Sequence, residues 1–257
     1  MIAINEPSNK VNSTEVKVNY LEETLGNIAA KDLQKAQVFK KFGLDFCCGG
    51  KKTVSEACKD KGINPDVVVE ELQNTNKQSF GPPLNYKEWE PGFLADYIVN
   101  IHHGYVKKNL PDLVMYANKV MKVHGKEHPE LIEINDLVKE INKELSAHME
   151  KEEKILFPYI KDLVAFSYKL KPQSTPQFAT VQNPITMMES EHEMVGNHLA
   201  QIRAITNNYN LPAGACASYT FLYRLLEEFE EDLHLHVHLE NNILFPKALE
   251  IEKTLIS

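Results

Sequence analysis

His148-Met149-Glu150-Lys151-Glu152-Glu153-Lys154-Ile155-Leu156-Phe157-Pro158 returns 88 residues later as His236-Val237-His238-Leu239-Glu240-Asn241-Asn242-Ile243-Leu244-Phe245-Pro246. Both stretches read HxxxExxILFP. A histidine precedes each copy at nearly the same distance, His103 by 45 residues and His192 by 44. This is the pattern of a duplicated helical hairpin, each half contributing two histidines and one glutamate. In an α-helix, residues four apart stand about 40° apart on one face and one turn from each other, so His and Glu reach the same point. His103 lies about 22 residues before the first hairpin turn and His148 about 20 after it, so both sit roughly 30 Å from that turn. His192 and His236 are similarly placed about the second turn. Four helices therefore aim their side chains at one layer of a bundle.

The last helix offers His234, His236 and His238, and geometry selects among them. Measured from Glu240, His236 is about 40° away, His238 about 200° and His234 about 240°. Only His236 shares the face. Spacing leaves His102 and His103 unresolved. His124 lies about 30 Å along its helix from His103, and His128 and His198 are also off the pattern. Glu189-x-x-His192 has the ExxH form of ferritin-like carboxylate sites, yet no second copy exists.

A lone histidine on a helix is more often exposed or hydrogen-bonded than a ligand. Two copies in identical ILFP contexts change that balance, because buried unpaired His and Glu are costly without a metal. Four imidazoles and two carboxylates are too many ligands for one tetrahedral zinc and too few oxygens for calcium. They suit two iron ions bridged by both carboxylates and an oxo or hydroxo group, with manganese the lesser alternative.

Outward from these motifs, helical periodicity covers about 92–123, 129–166, 184–207 and 214–249. The breaks are HGKEHP, the Pro/Gln/Ser/Thr stretch 171–184 and NNYNLPAG. The expected fold is all-α, an up-down-up-down four-helix bundle over 92–257. Pro111, Pro158 and Pro246 predict kinks or early stops. Ahead of it, residues 19–75 read as a small helical domain, LEETLGNIAAK, LQKAQVFKKFG, TVSEACKDKG and PDVVVEELQ, punctuated by Gly26, Gly43, Gly62 and Pro65. Residues 76–91 read as a linker and 1–18 as a flexible N-terminus.

Composition narrows the class further. A net charge of −8 argues against a nucleic-acid groove. No apolar run approaches the roughly 20 residues that cross a bilayer. The opening MIAINEPSNK lacks the profile of a secretory signal, so a cytoplasmic location with no membrane partner is expected. Four cysteines among 257 residues do not make a disulfide framework. Cys58 and Cys216 fall in helical patterns and read as core residues. Cys47 and Cys48 precede Gly49, Gly50, Lys51, Lys52 and a helix start at Thr53. That setting is expected to lower a thiol pKa and favour a thiolate able to attack disulfides, bind iron or take up NO. The bland alternative is one exposed and one packed cysteine without chemistry.

Asp45-Phe46-Cys47-Cys48-Gly49-Gly50 together with the doubled HxxxExxILFP resembles the RIC family, di-iron proteins for repair of iron–sulfur centres. The likeness runs from about residue 20 to the end. It implies a hemerythrin-like bundle after an ScdA-type N-terminal domain. It also implies iron ligands His103, His148, His192 and His236, with Glu152 and Glu240 bridging. His103 is preferred over His102 because it stands eight residues before Pro111, as in the family. The resemblance further implies repair of clusters damaged by nitric oxide or peroxide, with damaged iron–sulfur proteins as partners and a homodimer as the assembly. Oxygen-carrying hemerythrins use a fifth histidine, and its absence here leaves the irons more open to water or small ligands.

Three functions compete. In the leading one the metal pair donates iron, with Cys47 and Cys48 assisting. The second is a di-iron enzyme reducing NO, although no flavin or nicotinamide fingerprint is visible to supply electrons. The third is a sensor or store of NO or O2. Whether the chain is an enzyme is left open.

Overall fold

A computed structural model describes residues 19–75, 85–170 and 179–256. The flexible N-terminus read over 1–18 lies outside the described residues, as do 76–84 of the linker and 171–178 of the second break in the bundle.

Local signals set the small domain. Thr24 caps α1 (Leu25–Lys31) by accepting from the Asn27 amide, and α2 (Lys35–Lys41) follows after a short turn. Thr53 and Glu56 form a reciprocal capping box at the start of α3 (Val54–Lys61), which ends on Gly62 in the left-handed region. Asn64 then caps α4 (Pro65–Asn74), whose first residue is the proline that costs no hydrogen bond there. Phe39, Leu25, Ile28, Val54, Val68 and Leu72 close its core.

The bundle's first helix is α5 (Pro91–Ile98), a π-helical turn (Val99–His103) and α6 (Gly104–His124). The second runs through α7 (Glu130–Lys151), a π turn (Glu152–Leu156) and α8 (Phe157–Ser167). The third, α9 (Gln182–Ile205), is continuous. The fourth joins α10 (Ala217–Leu239), a π turn (Glu240–Leu244) and α11 (Phe245–Ile256). The expected proline kinks and stops take another form. Pro158 and Pro246 are the second residues of α8 and α11, each directly after a π turn. The wider i→i+5 winding upstream accommodates a ring that cannot donate and would crowd the preceding carbonyl, so the helix continues. Pro111 lies inside α6.

The apolar interior of the bundle is divided in two. One layer gathers Val106, Leu113, Ile134, Leu145, Leu199 and Phe229. The other gathers Leu94, Ile98, Ile160, Ile185, Leu244 and Phe245. The π turns, the ends of α7 and α10 that lead into them and the middle of α9 lie between them, and that is where His103, His148, His192, His236, Glu152 and Glu240 sit. Residues just before α5 belong to the second layer. Tyr86 is buried and stacks edge-on with Trp89, which meets Tyr97.

The small domain docks on the fourth helix. Asn242, in its π turn, donates to the Phe46 and Cys47 carbonyls at 3.2 and 3.0 Å. Its side chain fits between Gly26 and Gly50, where a methyl on either glycine would strike the Asn242 amide. Lys40–Glu231 and Lys51–Glu189 pairs flank this contact.

Candidate metal centre

All six side chains read from the repeat meet in the polar layer, and all six are buried. His148, Glu152, His192 and Glu240 bring one donor atom each to within 4.8 Å of one another. His103, Glu152, His236 and Glu240 do the same. The two sets share both glutamates. His103 Nε2 and His148 Nε2 face Glu152 Oε2 at 3.3 and 3.2 Å. His192 Nε2 faces Glu240 Oε2 at 3.1 Å, and His236 Nε2 faces Glu240 Oε1 at 3.0 Å.

Three histidines are turned inward by acceptors on their outer nitrogens. His103 Nδ1 donates to Glu153 Oε1 at 2.7 Å, His148 Nδ1 to Glu191 Oε2 at 2.8 Å and His192 Nδ1 to Asn241 Oδ1 at 2.9 Å. Placing the proton on Nδ1 leaves Nε2 as the lone-pair atom facing the centre. Lys107 and Lys151 in turn hold Glu153 and Glu191. The repeat reading missed these acceptors. Their signal is that Glu153, Asn241 and Glu191 each adjoin a ligand position in sequence.

The electrostatics fit a cation. Burial disfavours charge on His103, but Glu152 and Glu240 outweigh it and raise its pKa to about 10. Burial likewise opposes His148, and Glu152 with Glu191 lifts it to about 10. Burial and the facing Glu240 push Glu152 up, while His148 and His103 bring it down to about 2. Burial lowers His236, against the pull of Glu240. Among the described residues, both Glu152 oxygens, Glu240 Oε2 and His103 Nε2 make no hydrogen bond. Buried oxygens of this kind are costly unless a metal takes them up. The His148 and His192 Nε2 atoms stand 2.9 Å apart, close to the roughly 3 Å that separates neighbouring nitrogens each about 2.1 Å from one ion. The residues fit a metal pair.

The remaining histidines stand elsewhere. His102 is buried beside the centre with Nδ1 on Asp232 at 2.9 Å. His238 accepts from Asn242 and packs on Phe46. His128 and His198 pair with Glu130 and Glu140. Glu189, of the ExxH motif, is bound to Lys51.

Two cysteine expectations need correction. Cys216 is exposed, not core; it precedes α10, and His124 Nε2 is 3.2 Å from its sulfur. The Cys47 thiol has its pKa raised well above the usual range, not lowered, by the hydrogen bond with Cys48, by burial and by Asp45. The lysines expected to lower it face other carboxylates, Lys51 on Glu189 and Lys52 on Asp60. Asp45 instead folds back to accept from the Cys47, Cys48 and Gly49 amides and from the Cys47 thiol. Cys48, half-buried, lies against Gly196, one turn beyond His192 on α9. A cleft of about 670 Å³ runs from Cys47 and Cys48 to Asn241 and Asn242.

The model of the hemerythrin HHE cation binding domain matches residues 95–248. The chain belongs to the hemerythrin HHE family. That fold implies a di-iron centre, and the two histidine–glutamate sets are able to hold one. Residues 21–76, with the cysteine loop, match ScdA_N, a domain of unknown function (DUF542). The hemerythrin bundle and this domain together parallel whole relatives. The iron-sulfur cluster repair protein YtfE of Escherichia coli O81 (strain ED1a) is 35% identical over 233 residues, covering 90% of this chain and 98% of that protein. The protein of that name from Dickeya chrysanthemi (strain Ech1591) is 34% identical over 238 residues, covering 91% and 100%. Among the described residues no helix is long and apolar enough to cross a membrane.

Proposed function

We propose that this chain is a di-iron protein that repairs iron–sulfur clusters damaged by nitrosative or oxidative stress, by donating iron. The observation that carries the reading is the pair of four-donor sets sharing Glu152 and Glu240, in a chain whose relatives along 90% of its length are named as cluster repair proteins. His148 and His192 would hold one iron and His103 and His236 the other, with Glu152 and Glu240 shared between them. Iron bound here supplies redox and Lewis-acid chemistry. As cargo it passes to the damaged cluster. Cys48, facing the cleft, assists the transfer, and Cys47 is kept protonated by its hydrogen bond with Cys48, by burial and by Asp45 until a partner removes its proton. NO and O2 are the small ligands of the pair, the assembly is a homodimer, and the setting is the cytoplasm.

The test is to load the anaerobic protein with labelled iron and mix it with an apo-dehydratase lacking its cluster, with inorganic sulfide and a thiol reductant supplied. Recovery of dehydratase activity with label in its cluster supports donation. No recovery, or equal recovery with His148→Ala, refutes it. Nitrous oxide formed from NO and a reductant, without label transfer, would assign the chain to NO reduction instead.

A further inference from the structure

The duplication gives every residue around the metal pair a counterpart in the other half. Glu153 follows Glu152 and takes His103 Nδ1; Asn241 follows Glu240 and takes His192 Nδ1. Under the same correspondence His148 matches His236. Glu191, which takes His148 Nδ1, matches His102, since each immediately precedes the upstream histidine of its half. The fourth acceptor position is therefore a histidine.

His102 and His236 are 2% and 1% exposed. Their rings lie alongside each other, centroids 5.6 Å apart and 12° from parallel. Asp232 Oδ1, at 2.9 Å, accepts from His102 Nδ1 and so leaves His102 Nε2 as a bare acceptor. His236 turns Nε2 to Glu240, which puts its ring proton on Nδ1 when a metal is bound. Among the described residues neither His102 Nε2 nor His236 Nδ1 has a partner. A buried donor and a buried acceptor on adjacent rings, each otherwise unpaired, are complementary.

We propose that His102 is the positioning residue of His236, accepting its Nδ1 proton through Nε2 with Asp232 fixing the tautomer, and that iron at the His103–His236 position leaves first. Three of the four outer bonds stand at 2.7–2.9 Å, and the one from His236 Nδ1 is not made. The His148–His192 position thus meets its ion with both rings already oriented, whereas the other position spends part of its binding free energy orienting His236. This rests on the di-iron reading and deepens it, because it names the iron that is donated.

The test uses the full chain loaded anaerobically with enriched iron. Release to a ferrous chelator and the Mössbauer spectrum are followed together. The wild type should lose iron in two phases of about one ion each, with one quadrupole doublet fading before the other. His102→Phe should speed the first phase by about tenfold or more and shift only its doublet. His102→Gln, whose amide oxygen accepts, should restore the wild-type behaviour. Asp232→Asn, outside the ring contact, should move the same phase in the direction of His102→Phe without disturbing the core. Single-phase loss of both irons from the wild type overturns the proposal. So does a first phase unmoved by both His102→Phe and Asp232→Asn. Failure of the wild type to take up two irons overturns the metal reading itself.

Discussion

The charges around Glu152 and Glu240 set how this protein answers pH. His103 and His148, raised from 6.5 to about 10, contribute stability that is complete below their unfolded value and is lost as pH rises through the folded one. Glu152, lowered from 4.5 to about 2, contributes stability that is complete above 4.5 and is lost as pH falls towards 2. His236 is lowered by burial, so it takes back some stability on the acid side of 6.5. The metal-free protein should accordingly lose melting temperature steadily between pH 6.5 and 10. A flat profile over that range would contradict the assigned charges. Iron must displace the second protons of His103 and His148, so binding at neutral pH should release about two protons. Calorimetry in buffers of different ionisation enthalpy measures that number.

At the scale of elements, the π turns and the docking of the small domain fix where the site residues point. Asn242 belongs to the π turn that Glu240 opens, and Gly26 and Gly50 leave room for its side chain. Gly26→Ala should cost about 1–3 kcal/mol, the usual penalty for overfilling a packed contact. In an Asn242→Ala background the same change should cost less, keeping only the tight approach of the Gly50 carbonyl oxygen, 3.0 Å from the added methyl. Denaturant midpoints around this double-mutant cycle give the coupling; equal costs in both backgrounds would show that Asn242 does not require the glycine. The long helices were legible because HxxxE has a fixed angular meaning on an α-helix, and that selected His236 from its two neighbours. The π turns were not, since an i→i+5 turn leaves no hydrophobic period of its own; for the two that open on Glu152 and Glu240, the proline six residues later is the local trace. Cys47 was misread for a related reason. Its thiol is governed by the hydrogen bond with Cys48, by burial against the bundle and by Asp45, which the chain folds back onto it, while the nearby lysines turn away. Cys216 misled because helical periodicity extends to the cap residue, which lies outside the packed face. Glu153, Glu191 and Asn241 need the three-dimensional meeting of two helices before their roles can be seen.

For the molecule as a whole, the centre is a polar layer between two apolar ones, so the metal pair joins the two halves of a divided core. Without it, Glu152 and Glu240 remain buried face to face, balanced only by the protonated His103 and His148. Iron binding should therefore stabilise the fold by about 2.7 kcal/mol when free iron stands at a hundred times its dissociation constant. For a chain of this length that is a rise of roughly 5–10 °C in melting temperature, lost on chelation. Scanning calorimetry with and without chelator checks it, and an unchanged transition would mean that the layer is balanced without metal. The central claim, that two half-bundles bring six side chains to a binuclear centre, is most directly tested by anomalous diffraction at the iron absorption edge from crystals of anaerobically loaded protein. Two iron peaks are predicted, both touching Glu152 and Glu240, one also bounded by His148 and His192 and the other by His103 and His236. A single peak, or iron bound away from these residues, would contradict it.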